Sequence, residues 1–319
     1  MQKNAKRAAS IGLWPALACA LALVACSGTP QAQTRPLEST RSSPIQVAPM
    51  QQTQPKRFGD RTMPVRATLL PTSASQGALV VGSTHPSALV EVAGRKLRIS
   101  PDGRFVFGIG RDARGTTTVA IRQPGTGVVN HRIAITPRDW PIERIDGVPP
   151  ATVNPPPEIA ARIAREQAQV VAARSRDDAR ADFAQSFIWP VRGRLSGRFG
   201  NQRIYNGTPK SPHSGMDIAA ANGTPVLAPA AGVVTFAAND LYLTGGTLLL
   251  DHGHGVSSNF LHLSRIDVEV GDRVEQGQVL GAVGATGRAT GPHLHWGMSW
   301  FDVRVDPLLV LEKAGIGAP

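Results

Sequence analysis

Apolar and polar residues alternate in short runs along much of the chain beyond residue 76, and this period of two is typical of β-strands. Between residues 77 and 137 the runs are ALVVG, ALVEVA, KLRIS, RFVFGIG, TTVAIR and HRIAIT. Residues 100–103, SPDG, predict a type I turn, because proline and aspartate stand where that turn favours them. We therefore predict a small all-β domain over residues 77–140, similar in architecture to an immunoglobulin-like sandwich.

In the middle of the chain, the spacing of apolar residues changes from the period of a strand to that of a helix. The Pro-rich segment PPATVNPPP is followed by apolar residues at helical spacing, with charged residues between them. This pattern predicts a helix from about Glu158 to Ser186, so that residues 141–186 form a Pro-rich joint and a connecting helix. The partial apolar face of this helix consists of Ile159, Ile163, Val170, Val171, Phe183 and Phe187. Such a helix either packs on one of the flanking domains or mediates oligomerisation.

The chain from residue 187 onward is again rich in strand-like runs, and glycines separate many of them. Strand candidates include GTLLLDHG, VSSNFLHLS and HLHWGMSW, together with the long stretch RIDVEVGDRVEQGQVLGAVG. We predict a larger β-rich domain over residues 187–311, so the expected fold class is mainly β.

The first 26 residues have the pattern of an export signal. A basic head precedes an uncharged, mostly apolar run over residues 11–25, which is short for a membrane span. The run ends in LVAC, which resembles the lipobox of bacterial lipoproteins and implies cleavage before Cys26 and lipidation of its thiol. An ordinary export signal with a chance cysteine is the alternative. Because Ser27 and not aspartate follows Cys26, the resemblance implies a periplasm-facing lipoprotein of the outer membrane.

The segment after the predicted signal lacks the apolar residues that a folded core needs. Residues 27–76 are rich in Pro, Gln, Ser and Thr, which predicts a disordered tether. Cys19 and Cys26 are the only cysteines, so the expected mature chain contains no internal disulfide, although the signal directs it to an oxidising compartment. Packing, with or without a bound metal, must then stabilise it.

Positive charge is concentrated in the N-terminal half. Residues 27–186 contain 21 Lys or Arg against 13 Asp or Glu, whereas residues 187–319 contain ten of each kind. In an exported protein this favours anionic envelope polymers or lipid headgroups as partners, and it disfavours nucleic acid. The alternative is a bias of genome composition, since Arg outnumbers Lys by 28 to 6.

The run HLHWGMSW places two histidines one residue apart on a predicted strand. Alternate side chains of a strand share one face, so His293 and His295 lie together, about 6.5–7 Å apart along the strand. Leu294 and Trp296 take the opposite face, which is apolar and suits a core. Taken alone, the pair fits two metal-binding or acid–base groups as well as it fits two exposed or hydrogen-bonded histidines.

Three more polar residues stand in compact motifs of the same domain. His213 and Asp217 occur in PHSGMDIAA, and His262 occurs in NFLHLS. Zinc favours imidazole nitrogen and carboxylate oxygen, and a catalytic zinc has three protein ligands and one open position. Five candidates are two more than a zinc ion needs, and the surplus fits general acid–base and transition-state roles.

These motifs resemble those of a known family. HSGMD, FLHLS and GPHLHWGM are similar to the three motifs of the lysostaphin-type, or LytM-like, zinc endopeptidases, which hydrolyse peptidoglycan. They occur in the order of that family over about residues 187–310, with GTPVLAPAAGVV and DHGHG between them. The resemblance covers the C-terminal β-rich domain.

Carried over residue by residue, the resemblance implies that His213, Asp217 and His295 bind one Zn²⁺ ion per chain. It implies acid–base or oxyanion-stabilising roles for His262 and His293, without deciding which residue has which role. The expected function is a zinc-dependent endopeptidase that cuts the peptide cross-links of bacterial peptidoglycan in cell-wall remodelling. Its expected partners are peptidoglycan stem peptides, and a membrane through the lipidated Cys26.

Two other functions remain open at this point. The first is a non-catalytic envelope lipoprotein scaffold that activates cell-wall amidases. Such scaffolds keep this fold but typically lose metal ligands, so the presence of all five candidates argues against that role. A glycan-binding module would leave the five residues unexplained. His252 and His254 of DHGHG, which lie among glycines, are interpreted as part of a turn over the rim of the site.

Overall fold

A computed structural model of the chain describes residues 64–147, 153–313 and 315, and strands are their main secondary structure. The mainly β fold class is therefore confirmed. All of these residues belong to one compact unit, Phe58–Pro319. The predicted signal segment with Cys26, and the predicted tether before residue 64, lie outside the described residues. Within the described part, no helix combines the length and the apolar character that crossing a membrane requires.

The first β region contains strands β1 to β7. Their bounds are β1 (Ser73–Ser75), β2 (Leu79–Ser83), β3 (Leu89–Val92), β4 (Arg95–Leu97), β5 (Arg104–Gly108), β6 (Thr116–Arg122) and β7 (Val128–Thr136). One sheet has the order β1-β7-β6-β3-β4, and β2 pairs with β5 in a second sheet. All six predicted strands are present, although only the first residues of KLRIS belong to one. The predicted tether over residues 27–76 was wrong at its C-terminal end, because residues 73–75 form β1 and pair with β7. Phe105 and Ile133 are fully buried, and the predicted turn closes with a 2.8 Å hydrogen bond from Gly103 N to Ser100 O.

The connecting helix α1 spans Pro157–Arg174, and none of its side chains is fully buried. It ends well before Ser186, so the predicted C-terminal end of the helix was wrong. The residues that follow it, SRDDARA, are polar, and Ser and Asp side chains favour local hydrogen bonds over helical backbone. Phe183 and Phe187, which completed the predicted apolar face, are buried beyond the helix instead.

The second β region is larger and contains the predicted site. Its elements are β9 (Arg194–Gly197), β10 (Gln202–Tyr205), β11 (Thr208–Pro209), β12 (Met216–Ala219), β13 (Pro225–Leu227), β14 (Gly232–Leu241), β15 (Gly245–Asp251), β16 (Val256–Leu263), β17 (Arg265–Ile266), β18 (Arg273–Val274), β19 (Val279–Ala282), β20 (His293–Trp300), β21 (Val303–Val305) and the helix α2 (Pro307–Lys313). The segment between the two β regions, residues 141–186, is called the connector. It contains the strand β8 (Ile142–Ile145), which pairs with β10.

The main sheet has the order β18-β14-β15-β16-β20-β12-β9, and β21 lies beside β20. One face of its central strands forms the core, because Leu248, Phe260, Leu294 and Trp296 are fully buried. The apolar face predicted for the HLHWGMSW strand is therefore confirmed. The other face carries His293 and His295, since successive side chains of a strand alternate.

The two β regions share one hydrophobic core. A Cβ atom on Gly108 of β5 would lie 3.0 Å from Val305 and 3.2 Å from Trp300, so glycine allows β5 to approach the main sheet closely. Arg138 also forms a 2.8 Å ion pair with the buried Asp306. The first region is therefore packed directly on the second.

Candidate metal centre

Neighbouring strands bring all five predicted residues together. β20 carries His293 and His295, and its antiparallel neighbour β12 carries Asp217 directly opposite His295. β16, on the other side of β20, carries His262 near its C-terminal end. His213 lies in the segment that leads into β12. Residues from distant parts of the sequence thus converge on one face of the sheet.

His213, Asp217 and His295 form the buried centre of this group. His213 Nε2 lies 3.1 Å from Asp217 Oδ1 and 3.1 Å from His295 Nδ1, and His295 Nδ1 lies 2.8 Å from Asp217 Oδ1. Each residue offers one atom that could bind a metal, and these atoms all lie within 4.8 Å of one another.

The donor set and its spacing fit a small divalent cation. Zinc binds imidazole nitrogen and carboxylate oxygen at about 2.0–2.2 Å, so the ligand atoms of a tetrahedral zinc site stand about 3.4 Å apart. The separations of 2.8–3.1 Å observed here need only a small expansion. Electron-rich atoms packed this closely are stable only with a proton or a cation among them.

Three histidine rings are oriented by backbone carbonyl groups. In His213, His262 and His293, Nδ1 lies within hydrogen-bond distance of a carbonyl oxygen. The acceptors and distances are Arg198 O at 3.0 Å, Thr286 O at 2.8 Å and Gly291 O at 2.8 Å, respectively. With the proton on Nδ1, each ring keeps the lone pair of Nε2, which can then bind a metal or accept a proton.

His262 and His293 form a second pair beside the first group. Their ring centroids are 4.8 Å apart, and His293 Nε2 lies 3.8 Å from Asp217 Oδ1. Burial lowers the pKa of His262, which favours its neutral form near pH 7. His262 also adopts a φ of +65°, a left-handed conformation that costs about 1–3 kcal/mol and is typical of functional sites.

Burial and the close imidazoles act in opposite directions on the central carboxylate. Burial raises the pKa of Asp217, but the contacts with His213 and His295 outweigh it and hold the pKa of that carboxyl well below its usual range. Burial lowers the pKa of His295 to about 4. The centre therefore combines one ionised carboxylate with a neutral imidazole, which is the protonation state that metal binding requires.

A glycine makes room for the centre. A Cβ atom on Gly197 would lie 2.4 Å from Asp217 Oδ2 and 3.1 Å from His213 Cε1. Because β9 pairs with β12, the missing side chain lets β9 run directly against the carboxylate.

Sequence reasoning missed a charged cluster beside the carboxylate. Arg203 Nη2 lies 3.7 Å from Asp217 Oδ2, and Arg203 Nε donates to Glu143 Oε2 at 3.2 Å. Asn201 Nδ2 donates to Glu143 Oε1 at 2.7 Å. Glu143 belongs to β8, which runs parallel to β10. No motif spacing links these residues, because only the pairing of the connector with β10 brings them together.

His252 and His254 do not lie at the rim of the site. They occupy the turn between β15 and β16, at the opposite end of β16 from His262, roughly 20 Å away along the strand. His252 is fully buried, with Nδ1 2.8 Å from Ala231 O and Nε2 2.8 Å from Ser258 Oγ. Both histidines pack against phenylalanine rings from the segment after α1. Their role in the described structure is packing.

The buried His252 should make the stability of the protein depend on pH. Burial lowers its pKa from 6.5 to about 4, and the positive charges of Arg180 and Arg273 act in the same direction, against the opposing charge of Asp182. Between these values the unfolded chain binds a proton that the folded chain does not, so stability falls as the pH decreases through this window. We expect His252→Gln to reduce this acid-dependent loss by about 2–3 kcal/mol. Urea unfolding of both proteins at pH 7.5 and 4.5 measures it, and identical pH dependence would contradict the prediction.

Comparison with known proteins finds a protein family that matches the part of the chain that carries the centre. Residues 211–307 match the family described as "Peptidase family M23". The fold is similar to a Pseudomonas aeruginosa crystal structure described as a proposed peptidase M23. The TM-score is 0.59 at 34% sequence identity, and the match covers 74% of this chain and 94% of that chain. All five residues of the site lie within residues 211–307, the range that matches the family.

Two longer relatives also match part of the chain. The "Cell division protein DipM" of Caulobacter vibrioides is 34% identical over 167 residues, which are 50% of this chain and 26% of that protein. The "Peptidoglycan DD-endopeptidase ShyA" of Vibrio cholerae is 41% identical over 104 residues, which are 32% of this chain and 24% of that protein. The matches thus span about a quarter of these relatives.

Proposed function

Because the chain belongs to peptidase family M23, we propose that it is a metal-dependent endopeptidase that hydrolyses the peptide cross-links of bacterial peptidoglycan. The observation that carries this proposal is the convergence of His213, Asp217 and His295 within 4.8 Å, with two further histidines beside them. The relative described as a peptidoglycan DD-endopeptidase supports the substrate class.

We propose zinc as the metal and His213, Asp217 and His295 as its ligands, one ion per chain. Two imidazoles and one carboxylate form a donor set typical of catalytic zinc, and they leave one position open. A zinc ion held there supplies a Lewis acid and lowers the pKa of water towards about 7. The Nδ1 contact of His213 with Arg198 O keeps the Nε2 lone pair turned towards the centre.

His262 and His293 are proposed as the acid–base and oxyanion-stabilising residues. His293 Nε2 faces Asp217 at 3.8 Å, so it is placed to accept a proton from water at the centre. His262, which lies 4.8 Å from His293 between ring centroids, is placed to stabilise the developing oxyanion or to protonate the leaving amine. The Nδ1 contacts of both rings with backbone carbonyls leave Nε2 free for these steps.

Digestion of purified peptidoglycan tests the function directly. Residues 27–319 are incubated with intact sacculi, with and without a chelator, and the released fragments are identified by mass spectrometry. We expect new peptide termini at the cross-links, their loss with the chelator and their recovery on addition of zinc. Release of intact stem peptides from glycan, or no release at all, would reject an endopeptidase of cross-links.

A non-catalytic scaffold that activates amidases is not favoured. Such a role needs no metal ligands, and here all five side chains are present and three of the rings are oriented by backbone contacts. If peptidoglycan were cut only when an amidase is added, the scaffold would replace the endopeptidase as the preferred function.

For location we propose an outer-membrane lipoprotein that faces the periplasm, with the part of residues 27–76 that precedes the folded β region as its tether. The support is the LVAC sequence that ends at Cys26, followed by Ser27. We expect Cys26→Ser to move the protein from the membrane fraction to the soluble fraction, since one thiol carries the anchor. Cell fractionation and mass spectrometry of the mature N-terminus measure this. An unmodified Cys26 thiol on the mature wild-type chain would contradict the proposal.

The basic N-terminal half is proposed to bind anionic envelope polymers or lipid headgroups. Residues 27–186 contain the excess of positive charge, whereas residues 187–319 are balanced. We expect residues 27–319 to sediment with sacculi or anionic vesicles more than a charge-reduced variant does, and we expect added salt to remove the difference. Exposed charges are screened over about 8 Å at physiological ionic strength. Salt-independent, equal binding would mean that the arginines reflect composition alone.

A further inference from the structure

A cavity of about 370 Å³ lies between α1 and the main sheet, next to the metal centre. Its wall on the helix side includes Ile163, Val170 and Arg174, and its wall on the sheet side includes Leu261 and Arg304. Ser214, the residue after His213, also lines it. The cavity therefore adjoins the segment that carries a proposed metal ligand.

The register of the strands places this cavity on the same sheet face as the centre. Leu261 of β16 lies directly opposite His295, and Arg304 of β21 lies directly opposite Ser299. Directly paired residues point to the same face, and so do residues two and four positions apart on one strand. His295, Ser299, Leu261 and Arg304 therefore share one face.

Two arginines give this cavity a positive charge. Among the described residues, neither Arg174 nor Arg304 has an ion-pair partner. Arg304 Nη1 has only a long contact of 3.4 Å with Asn259 Oδ1. The one acidic residue of the lining, Glu166, is already engaged by Arg162 at 2.6 Å and by the backbone N–H of Tyr242 at 2.8 Å.

Burial makes the charged forms of Arg174 and Arg304 less favourable. Burial, together with the charge of Arg174, lowers the pKa of Arg304 to about 9, and burial also lowers the pKa of Arg174. Buried guanidinium groups without an ion-pair partner are stabilised by an anion placed beside them. The cavity thus combines two arginines that lack acidic partners among the described residues with apolar walls.

We propose that this cavity is a substrate subsite in which Arg174 and Arg304 bind a free carboxylate of the peptide. The inference rests on the proposed function and specifies part of its substrate. His295 and Ser299 stand four positions apart on β20, a distance of about 13 Å along the strand. An extended peptide spans about 3.3–3.6 Å per residue, so the carboxylate lies three to four residues from the bond that is cut. The aliphatic side chains of α1 contact the intervening residues.

Two synthetic stem-peptide probes test the subsite, one with a C-terminal carboxylate and one with a carboxamide in its place. Their binding to residues 27–319 is measured by calorimetry. We expect the carboxylate probe to bind about 10–100-fold more tightly, as is typical of hydrogen bonds to charged groups. Arg304→Met and Arg174→Met should each remove most of this preference and leave the binding of the carboxamide probe unchanged.

Control variants separate a local effect from a loss of fold or of net charge. Arg122→Met removes one positive charge from an exposed position on β6 and should keep the full preference. Arg304→Lys keeps the positive charge but lacks the planar guanidinium donors that bind a carboxylate through two hydrogen bonds. It should therefore keep part of the carboxylate preference that Arg304→Met loses. Arg174→Met, at the end of α1, tests the subsite even if Arg304→Met fails to fold.

Equal binding of both probes by the wild-type protein, or an unchanged preference in both methionine variants, would overturn the subsite. The outcomes also distinguish it from the proposed function. A carboxylate preference that depends on the two arginines, without any digestion of sacculi, would support the subsite and reject the endopeptidase. Digestion of sacculi with no carboxylate preference would support the endopeptidase and reject the subsite.

Discussion

Asp217→Ala is expected to abolish both metal binding and peptidoglycan digestion. Asp217 supplies the one carboxylate of the group, and its Oδ1 lies 3.1 Å from His213 Nε2 and 2.8 Å from His295 Nδ1. Without it, two imidazoles remain, and a divalent cation would lose the one carboxylate among its proposed ligands. Because even residues that merely support metal ligands contribute about 10–100-fold to metal affinity, loss of a ligand should exceed that range. We expect activity to fall by about 10³-fold or more.

Metal analysis after gel filtration, together with release of soluble fragments from sacculi, measures the effect. Asp302→Ala is a matched control, because it removes an exposed carboxylate from the turn after β20. His213→Ala and His295→Ala should behave like Asp217→Ala. Full metal occupancy in all three variants would show that the metal is bound elsewhere.

The strand that carries the histidine pair shows why part of this site could be predicted from sequence. A period of two assigns His293 and His295 to one face and Leu294 and Trp296 to the other, and the last two are fully buried. Local periodicity determines which residues share a face. The motif resemblance then identified His213, Asp217 and His262, which local periodicity alone could not connect to β20.

Contacts that depend on the pairing of distant segments could not be predicted in the same way. Glu143 reaches Arg203 because β8 of the connector pairs in parallel with β10. Nothing in the sequence IERI indicates that partner. The position of α1 across the face that carries the metal centre is a second example, since its weak apolar face could pack on either β region.

The C-terminal end of α1 could not be predicted for a different reason. Phe183 and Phe187 continue the apolar spacing of the helix, so the pattern predicted one helix through both. The structure buries them against His254 and His252, with ring centroids 4.7 and 5.0 Å apart. Burial of large aromatic side chains by the second β region outweighs helical propensity over a polar, Asp-containing segment.

His293→Ala and His262→Asn are expected to keep the metal and lose most of the turnover. Neither residue belongs to the group of three whose ligand atoms lie within 4.8 Å of one another. Positioned acid–base groups contribute about 10²–10⁴-fold to rate, so kcat should fall by that range while KM changes little. Asparagine is chosen at position 262 because it tolerates the φ of +65° there but cannot accept a proton.

The comparison of metal content with turnover is what separates these two residues from the ligands. His131→Ala, on β7 of the first β region, is the matched control and should keep both properties. If the two variants lost the metal as Asp217→Ala does, they would have to be counted among its ligands. If both kept near-normal turnover, the proton transfers would depend on other groups, and the 4.8 Å pair of rings would have only a structural role. Retained metal with a loss of at least 10²-fold in kcat would leave proton transfer and oxyanion stabilisation as the functions of this pair.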